Sequence, residues 1–314
     1  MTGLHKLGSS DIEVFPLSLG GNVFGWSADK AASFAVLDAY TEAGGNFVDT
    51  ADSYTAWIPG NSGGESERII GEWTAARGNR DSVVIATKVS RHPDFLGLRP
   101  ENIKAAADAS LSRLRTDRID LYYTHFDDPE VPVEDIITAL DELVTAGKVR
   151  AIAASNISPE RLAQSLDFST REGKARYVAL QPHYNLMSRD TYEGPLQDIA
   201  VRHGLAVAPY FSLAAGFLTG KYRASTPVES ARAAGVAKYL GTERGDRVLT
   251  ALEQTAAAHG AQVATVALAW LAAQPGVVAP IASARTLDQL PALLAAPGLR
   301  LTDAEVAALT AASA

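Results

Sequence analysis

The sequence predicts a single α/β domain, residues 1–314, closed as a (β/α)8 barrel. Eight short runs rich in Val, Ile, Ala, Phe and Tyr alternate with amphipathic stretches, and no Gly/Ser/Pro linker divides the chain. Eight is also the strand count that closes a barrel. A second observation concerns polar groups. Asp49, Lys88 and His125 come at or just past the ends of three runs, and Tyr54 lies in the loop after the first of these. Strand ends that each supply one polar group imply a common mouth, the C-terminal face where barrel chemistry collects. A doubly wound sheet would need a glycine-rich phosphate turn after its first strand, and "LSLGGNVFGW" lacks the G-x-G-x-x-G spacing.

The elements follow in order. "LHKL", a turn at Gly8-Ser9-Ser10-Asp11 and "IEVF" read as an opening hairpin. The strand candidates are 17–21, 46–49, 82–87, 119–125, 149–155, 177–181, 206–210 and 277–282. Between them lie helical stretches such as "AASFAVLDAYTEAGG", "ENIKAAADASLSRL", "VEDIITALDELVTAGK" and "PLQDIAVRHG". Asp29 is placed to cap the first helix, Pro100 suits a first helical turn, and Ser158-Pro159-Glu160 opens another helix. Gly44-Gly45, Gly147 and Gly204 fall where helices turn back into strands. After the seventh strand the long segment 220–248 lacks a clean period and reads as a lid or binding loop. "LTALEQTAAAHG" follows as a helix, and Thr302-Asp303 begins the last one.

Composition narrows the function. Without cysteine there is no disulfide, Cys-ligated zinc, iron–sulfur cluster or thiol nucleophile. A net charge of −8 with no Lys/Arg block argues against nucleic acid or an anionic membrane as partner. The start "MTGLHKLGSSDIEV" has no basic region followed by an apolar one, and the most apolar stretches are broken by Pro and Gly. A cytoplasmic protein is expected, monomeric or weakly associating. His125 has only Asp127 and Asp128 close in sequence, so no metal site is expected.

The quartet also makes chemical sense. A tyrosine hydroxyl ordinarily has a pKa of about 10, too high for a good acid at neutral pH. A neighbouring ammonium favours the phenolate, and a carboxylate holds the ammonium in place. Asp49, Lys88 and Tyr54 thus form a candidate proton donor for a carbonyl, and such a donor needs a hydride source.

These pieces, "FVDTADSY", "VVIATKVS" and "DLYYTHFDD", occur between "LGSSDIEVFPLSLGG" and "PIASARTLDQL" in an order that resembles the aldo-keto reductases over nearly the whole chain. The resemblance implies reduction of an aldehyde or ketone by NADPH, with NADH the alternative. It makes Tyr54 the general acid, tuned by Lys88 and Asp49, with His125 steering the carbonyl. It assigns the nicotinamide amide to Ser155, Asn156 and Gln181, although Ser155 and Asn156 could instead serve the helix that follows. Tyr210 would stack on the nicotinamide, and Ser212, Leu213, Gly216, Leu218 and Lys221 would wrap the pyrophosphate. Ser283, Arg285 and Gln289 would meet the 2′-phosphate and adenine, aided by a helix amino terminus. Here Ser283 stands where the family commonly has Gly or Lys, and Leu293 where an Asn usually meets adenine.

Trp26, Trp57 and Phe126 are the expected substrate walls. No fixed cationic group in these segments looks placed for a charged substrate, so a small aldehyde or ketone is expected. Two other readings stay open. One is a cofactor-binding regulatory subunit like the potassium-channel β subunits, and the other is a metal-dependent barrel hydrolase.

Overall fold

The computed structural model describes residues 3–222 and 233–314. Strands β1 (His5–Lys6) and β2 (Glu13–Val14) form the antiparallel hairpin. The barrel is built from β3 (Ser18–Gly20), β4 (Phe47–Asp49), β5 (Val84–Val89), β6 (Ile119–Thr124), β7 (Val149–Ser155), β8 (Tyr177–Gln181), β9 (Ala206–Val207) and β10 (Ile281–Ala282). Among the described residues these eight pair in parallel in the order β10-β3-β4-β5-β6-β7-β8-β9. The seam closes where the Val278 N–H donates to Val207 O and the Ile281 N–H to Pro209 O, each at 2.9 Å. The two seam strands are shorter than the sequence predicts. Pro209 and Pro280 interrupt them, and proline has no N–H to give to a ladder.

Helices fill the outside as their caps predict. Asp29 accepts from the Ala32 N–H at 2.8 Å at the start of Lys30–Glu42. Pro100 opens Pro100–Leu114, and Ser158 accepts from the Arg161 N–H at 3.2 Å ahead of Pro159–Glu172. Thr302 and Glu305 form a reciprocal capping box at the start of Asp303–Ala312. The helix expected at "LTALEQTAAAHG" starts earlier, as Glu243–His259, on a Thr242 cap.

Two helices escape the sequence reading, each for a physical reason. Val263–Ala272 is buried on every side from Ala264 to Leu271 and has no polar face to mark its period. Glu65–Arg77 buries the polar residues Ser66, Glu67 and Thr74, which blurs its stripe. Of the irregular segment, residues 223–232 lie outside the described residues. Ala233–Ala237 forms a short helix beyond them.

The core has two shells. Side chains such as Leu37, Tyr122, Leu140 and Leu166 pack between strands and helices. Leu7, Ile12, Val14, Phe47, Leu121, Tyr123 and Ala179 form a separate cluster that fills the barrel's N-terminal interior. The alternation along β6, with Tyr122 in one shell and Leu121 and Tyr123 in the other, is the period-2 signature of a strand. The hairpin is therefore a plug. Gly8 makes its approach feasible: φ is +56°, and an added Cβ would lie 2.1 Å from the Val178 carbonyl oxygen.

Candidate active site

All eight barrel strands run parallel, so their C-terminal ends open on one cavity of about 1010 Å³. That volume is at the upper end for a ligand pocket. At its floor Lys88 Nζ donates to Asp49 Oδ2 at 2.8 Å, to Tyr54 Oη at 2.9 Å and to the Thr50 carbonyl at 2.6 Å. The Tyr54 hydroxyl lies 3.3 Å from the same Asp49 oxygen. Lys88 is fully buried and does not line the cavity, whereas Asp49, Tyr54 and His125 do. Burial pushes the Lys88 pKa down, and the carboxylates of Asp49, Asp52 and Glu67 oppose that shift.

His125 follows β6 with its ring centroid 6.0 Å from that of Tyr54, edge to face. Burial, with the cations of Lys88 and Arg91, holds its pKa well below the usual imidazole value, so the ring is neutral at neutral pH. Nδ1 is sealed in protein with no partner among the described residues. That leaves Nε2 as the nitrogen able to meet a ligand.

The residues assigned to the amide meet one another. Ser155 Oγ donates to the Gln181 carbonyl at 2.8 Å, and Asn156 Nδ2 donates to His125 O at 2.8 Å and to Ser155 Oγ at 3.1 Å. The following helix is capped by Ser158, and Ser155 and Asn156 face the cavity instead. Gln181 Nε2 donates to Asp49 Oδ1 at 2.9 Å. Tyr210 Oη donates to Asn156 Oδ1 at 2.7 Å, and its ring is backed by His183, stacked at 5.3 Å and 21°.

After Tyr210 the chain curls through left-handed backbone at Phe211, Ala214, Ala215 and Gly216. Ser212 Oγ is used by the Pro209 carbonyl at 2.9 Å, and Leu213, Gly216 and Lys221 line the cavity. Leu218 does not: its side chain is fully buried in the core behind the curl. At the corner after β10, Ser283 Oγ donates to Asn22 Oδ1 at 2.6 Å, and Gln289 Oε1 accepts from the Arg285 N–H at 2.9 Å. Leu293 lines the cavity here as well. The corner is a 3-10 turn, Leu287–Gln289, followed by only five helical residues, and the turn carries Asp288. A short helix headed by a carboxylate gives an anion little attraction. The half-buried Arg285, with no ion pair among the described residues, is the stronger anion donor there.

The side of the cavity expected to take the substrate is a line of aromatic edges. Trp26 meets Trp57 at 5.9 Å, Trp57 meets Tyr54 at 6.3 Å, and His125 meets Phe126 at 5.2 Å. One cation from outside those aromatic segments joins the wall. The Arg91 guanidinium lies over the Phe126 ring, 4.7 Å from its centroid, and lines the cavity. Ser90 puts it there. Its φ is +108°, rare for a side-chain-bearing residue and worth about 1–3 kcal/mol of strain. Its Oγ accepts from the Phe126 N–H at 3.1 Å, and its carbonyl accepts from the Gly97 N–H at 3.0 Å. Sequence spacing carries no trace of that turn.

No group of three or more metal-ligating side chains occurs among the described residues, and no described helix is long and apolar enough to cross a membrane. The chain is similar to a norsolorinic acid reductase of Emericella nidulans, 33% identical over 98% of this chain and 80% of that one. It is similar to Protein tas of Escherichia coli, 31% identical over 98% of this chain and 96% of the relative. An aryl-alcohol dehydrogenase [NADP(+)] of Phanerodontia chrysosporium is 31% identical over 93% of this chain and 80% of its own. The model of the aldo/keto reductase family matches residues 16–314. With the buried lysine, its carboxylate and the tyrosine meeting at one barrel mouth, the chain belongs to the aldo/keto reductase family of oxidoreductases.

Proposed function

We propose that this chain reduces aromatic aldehydes or ketones to alcohols with NADPH. The observation that carries the reading is the contact series Asp49–Lys88–Tyr54 at 2.8 and 2.9 Å on the cavity floor. The rest of the cavity fits a nicotinamide dinucleotide. Ser155, Asn156 and Gln181 bring amide-matching donors and acceptors to one edge. Arg285 and Lys221 bring cations to the far end. The dehydrogenase relative carries NADP(+) in its name, which favours the phosphorylated cofactor.

When bound, the nicotinamide supplies the hydride. Everything else is done by side chains. Tyr54 holds the proton that the carbonyl oxygen needs. The Lys88 ammonium donates to the Tyr54 oxygen and so stabilises the phenolate left after transfer. Asp49 keeps that ammonium in place and offsets its burial. The neutral His125 ring, whose Nδ1 has no partner among the described residues, donates from Nε2 to the same carbonyl oxygen and fixes the carbonyl's approach. The aromatic wall offers a substrate ring apolar edges to pack against.

A screen of aldehydes and ketones with NADPH and with NADH, read at the nicotinamide absorbance band, tests the proposal. Turnover of nitrobenzaldehyde with NADPH, insensitive to chelators, is the expected result. No turnover of any carbonyl with either cofactor would overturn it and favour a regulatory cofactor-binding role.

A further inference from the structure

The charges around the cavity are unevenly matched. Asp49 is paired with Lys88. Lys221, Arg285 and Asp288 belong to the segments after β9 and β10, at the end read here as the phosphate end. Beside the aromatic wall one fixed charge remains, and it is Arg91, which forms no ion pair among the described residues. Asp94, the acid on its own loop, is exposed and forms no ion pair with Arg91 among the described residues; its carboxylate lies 3.9 Å from His92 Nδ1, which accepts from the Asp94 N–H. Asp127 is held by Arg161 at 2.6 Å, and Asp128 accepts from the Leu98 N–H at 3.0 Å. The exposed Arg91 side chain rests its guanidinium carbon over the Phe126 ring, 4.7 Å from the centroid, and the Ser90 Oγ bond to the Phe126 N–H ties the backbone beside it to the same loop. A planar guanidinium at this place can donate to two oxygens of a carboxylate.

We propose that Arg91 is a specificity-determining residue that selects aromatic carbonyl compounds carrying a carboxylate on the ring away from the reacting carbonyl. The inference deepens the carbonyl-reductase reading and rests on it. On a chain of net charge −8, an anionic substrate is repelled by the surface as a whole, so a local cation decides whether it binds. Arg91 also lowers the basicity of His125, so the group that recognises the acid helps keep the carbonyl-steering ring neutral.

The test compares 4-carboxybenzaldehyde with its neutral methyl ester, the same ring with the charge masked. For the wild type kcat/KM should favour the acid by about tenfold or more, mainly through KM, and the preference should shrink as salt is raised. In Arg91→Gln the acid-to-ester ratio should fall to about one or below, and Arg91→Lys should restore part of it. Binding is read separately from quenching of tryptophan emission, since Trp26 and Trp57 face the cavity. Failure to turn over either aldehyde would sink the reductase reading. The quenching ratio would still decide the role of Arg91. An ester bound as tightly as the acid, or a preference that survives in Arg91→Gln, overturns the inference.

Discussion

Gln181 and Asp49, 132 positions apart, are joined by a 2.9 Å hydrogen bond across the barrel mouth. The amide that the cofactor reading assigns to the nicotinamide therefore also braces the carboxylate that holds Lys88. Gln181→Leu leaves one Asp49 oxygen without its donor, a loss of about 1–3 kcal/mol for a buried acceptor. Both cofactor affinity and kcat should fall, by about tenfold each. Fluorescence titration and steady-state rates check this, and a change confined to one of the two would separate the functions joined here.

Tyr54→Phe should behave differently. It removes the proposed proton donor and leaves the amide set intact, so kcat should drop at least ~10²-fold with little change in cofactor affinity. Near wild-type turnover would exclude Tyr54 as the acid.

Lys88→Met removes the counter-charge of a carboxylate that is only 2% exposed. Breaking a buried pair on one side costs about 3–5 kcal/mol. Turnover should be lost and the urea midpoint lowered, and adding Asp49→Asn should recover much of the stability without the activity. A single variant as stable as wild type would mean that Asp49 takes up a proton instead.

Arg285→Ala addresses cofactor choice. A charge-assisted, partly exposed contact to the 2′-phosphate is worth roughly 1.5–3 kcal/mol, about ten- to a hundredfold in affinity. NADPH should weaken by that factor and NADH hardly at all. Equal losses for both would move the phosphate contact to Lys221 or Gln289.

Acid should weaken the fold early. His92, His125 and His183 all have their pKa values lowered, burial being the largest cause in each. Below about pH 6.5 the unfolded chain takes up protons that the folded chain refuses, so stability is full above that pH and declines beneath it. The slope is at most about 1.4 kcal/mol per pH unit for each histidine. Melting temperatures between pH 7.5 and 5.5 should fall accordingly, and ring nitrogen shifts should show His125 neutral at pH 6. A flat profile with ordinary histidine titrations would contradict the burial argument.

The barrel and the floor of its cavity were legible in the sequence for one reason. In a closed parallel sheet a residue at a strand's end has nowhere to go but the mouth, so Asp49, Lys88 and His125 converge whatever the loops do. Loop and seam details were not legible. Ser283 turns to Asn22 and Gln289 to the Arg285 backbone because local hydrogen bonds decide those rotamers. Leu218 is buried because the chain before it coils through four left-handed residues, and a Leu in such a coil gives no sign of which way it faces. Arg91 was missed because its position depends on an unusual φ at Ser90 and a bond to the next strand's loop. The all-round burial of Val263–Ala272 erased the only periodic cue that helix had.

The hairpin plug bears on traffic. With Leu7, Ile12 and Val14 packed into the far end of the barrel and Lys88 sealed from solvent, the described residues leave the mouth as the way in to the floor. On the proposed function, cofactor, carbonyl compound, alcohol and the proton returned to Tyr54 would share that mouth. Turnover would then be a queue in which the molecule seated against the floor enters before the one that covers it and leaves after it.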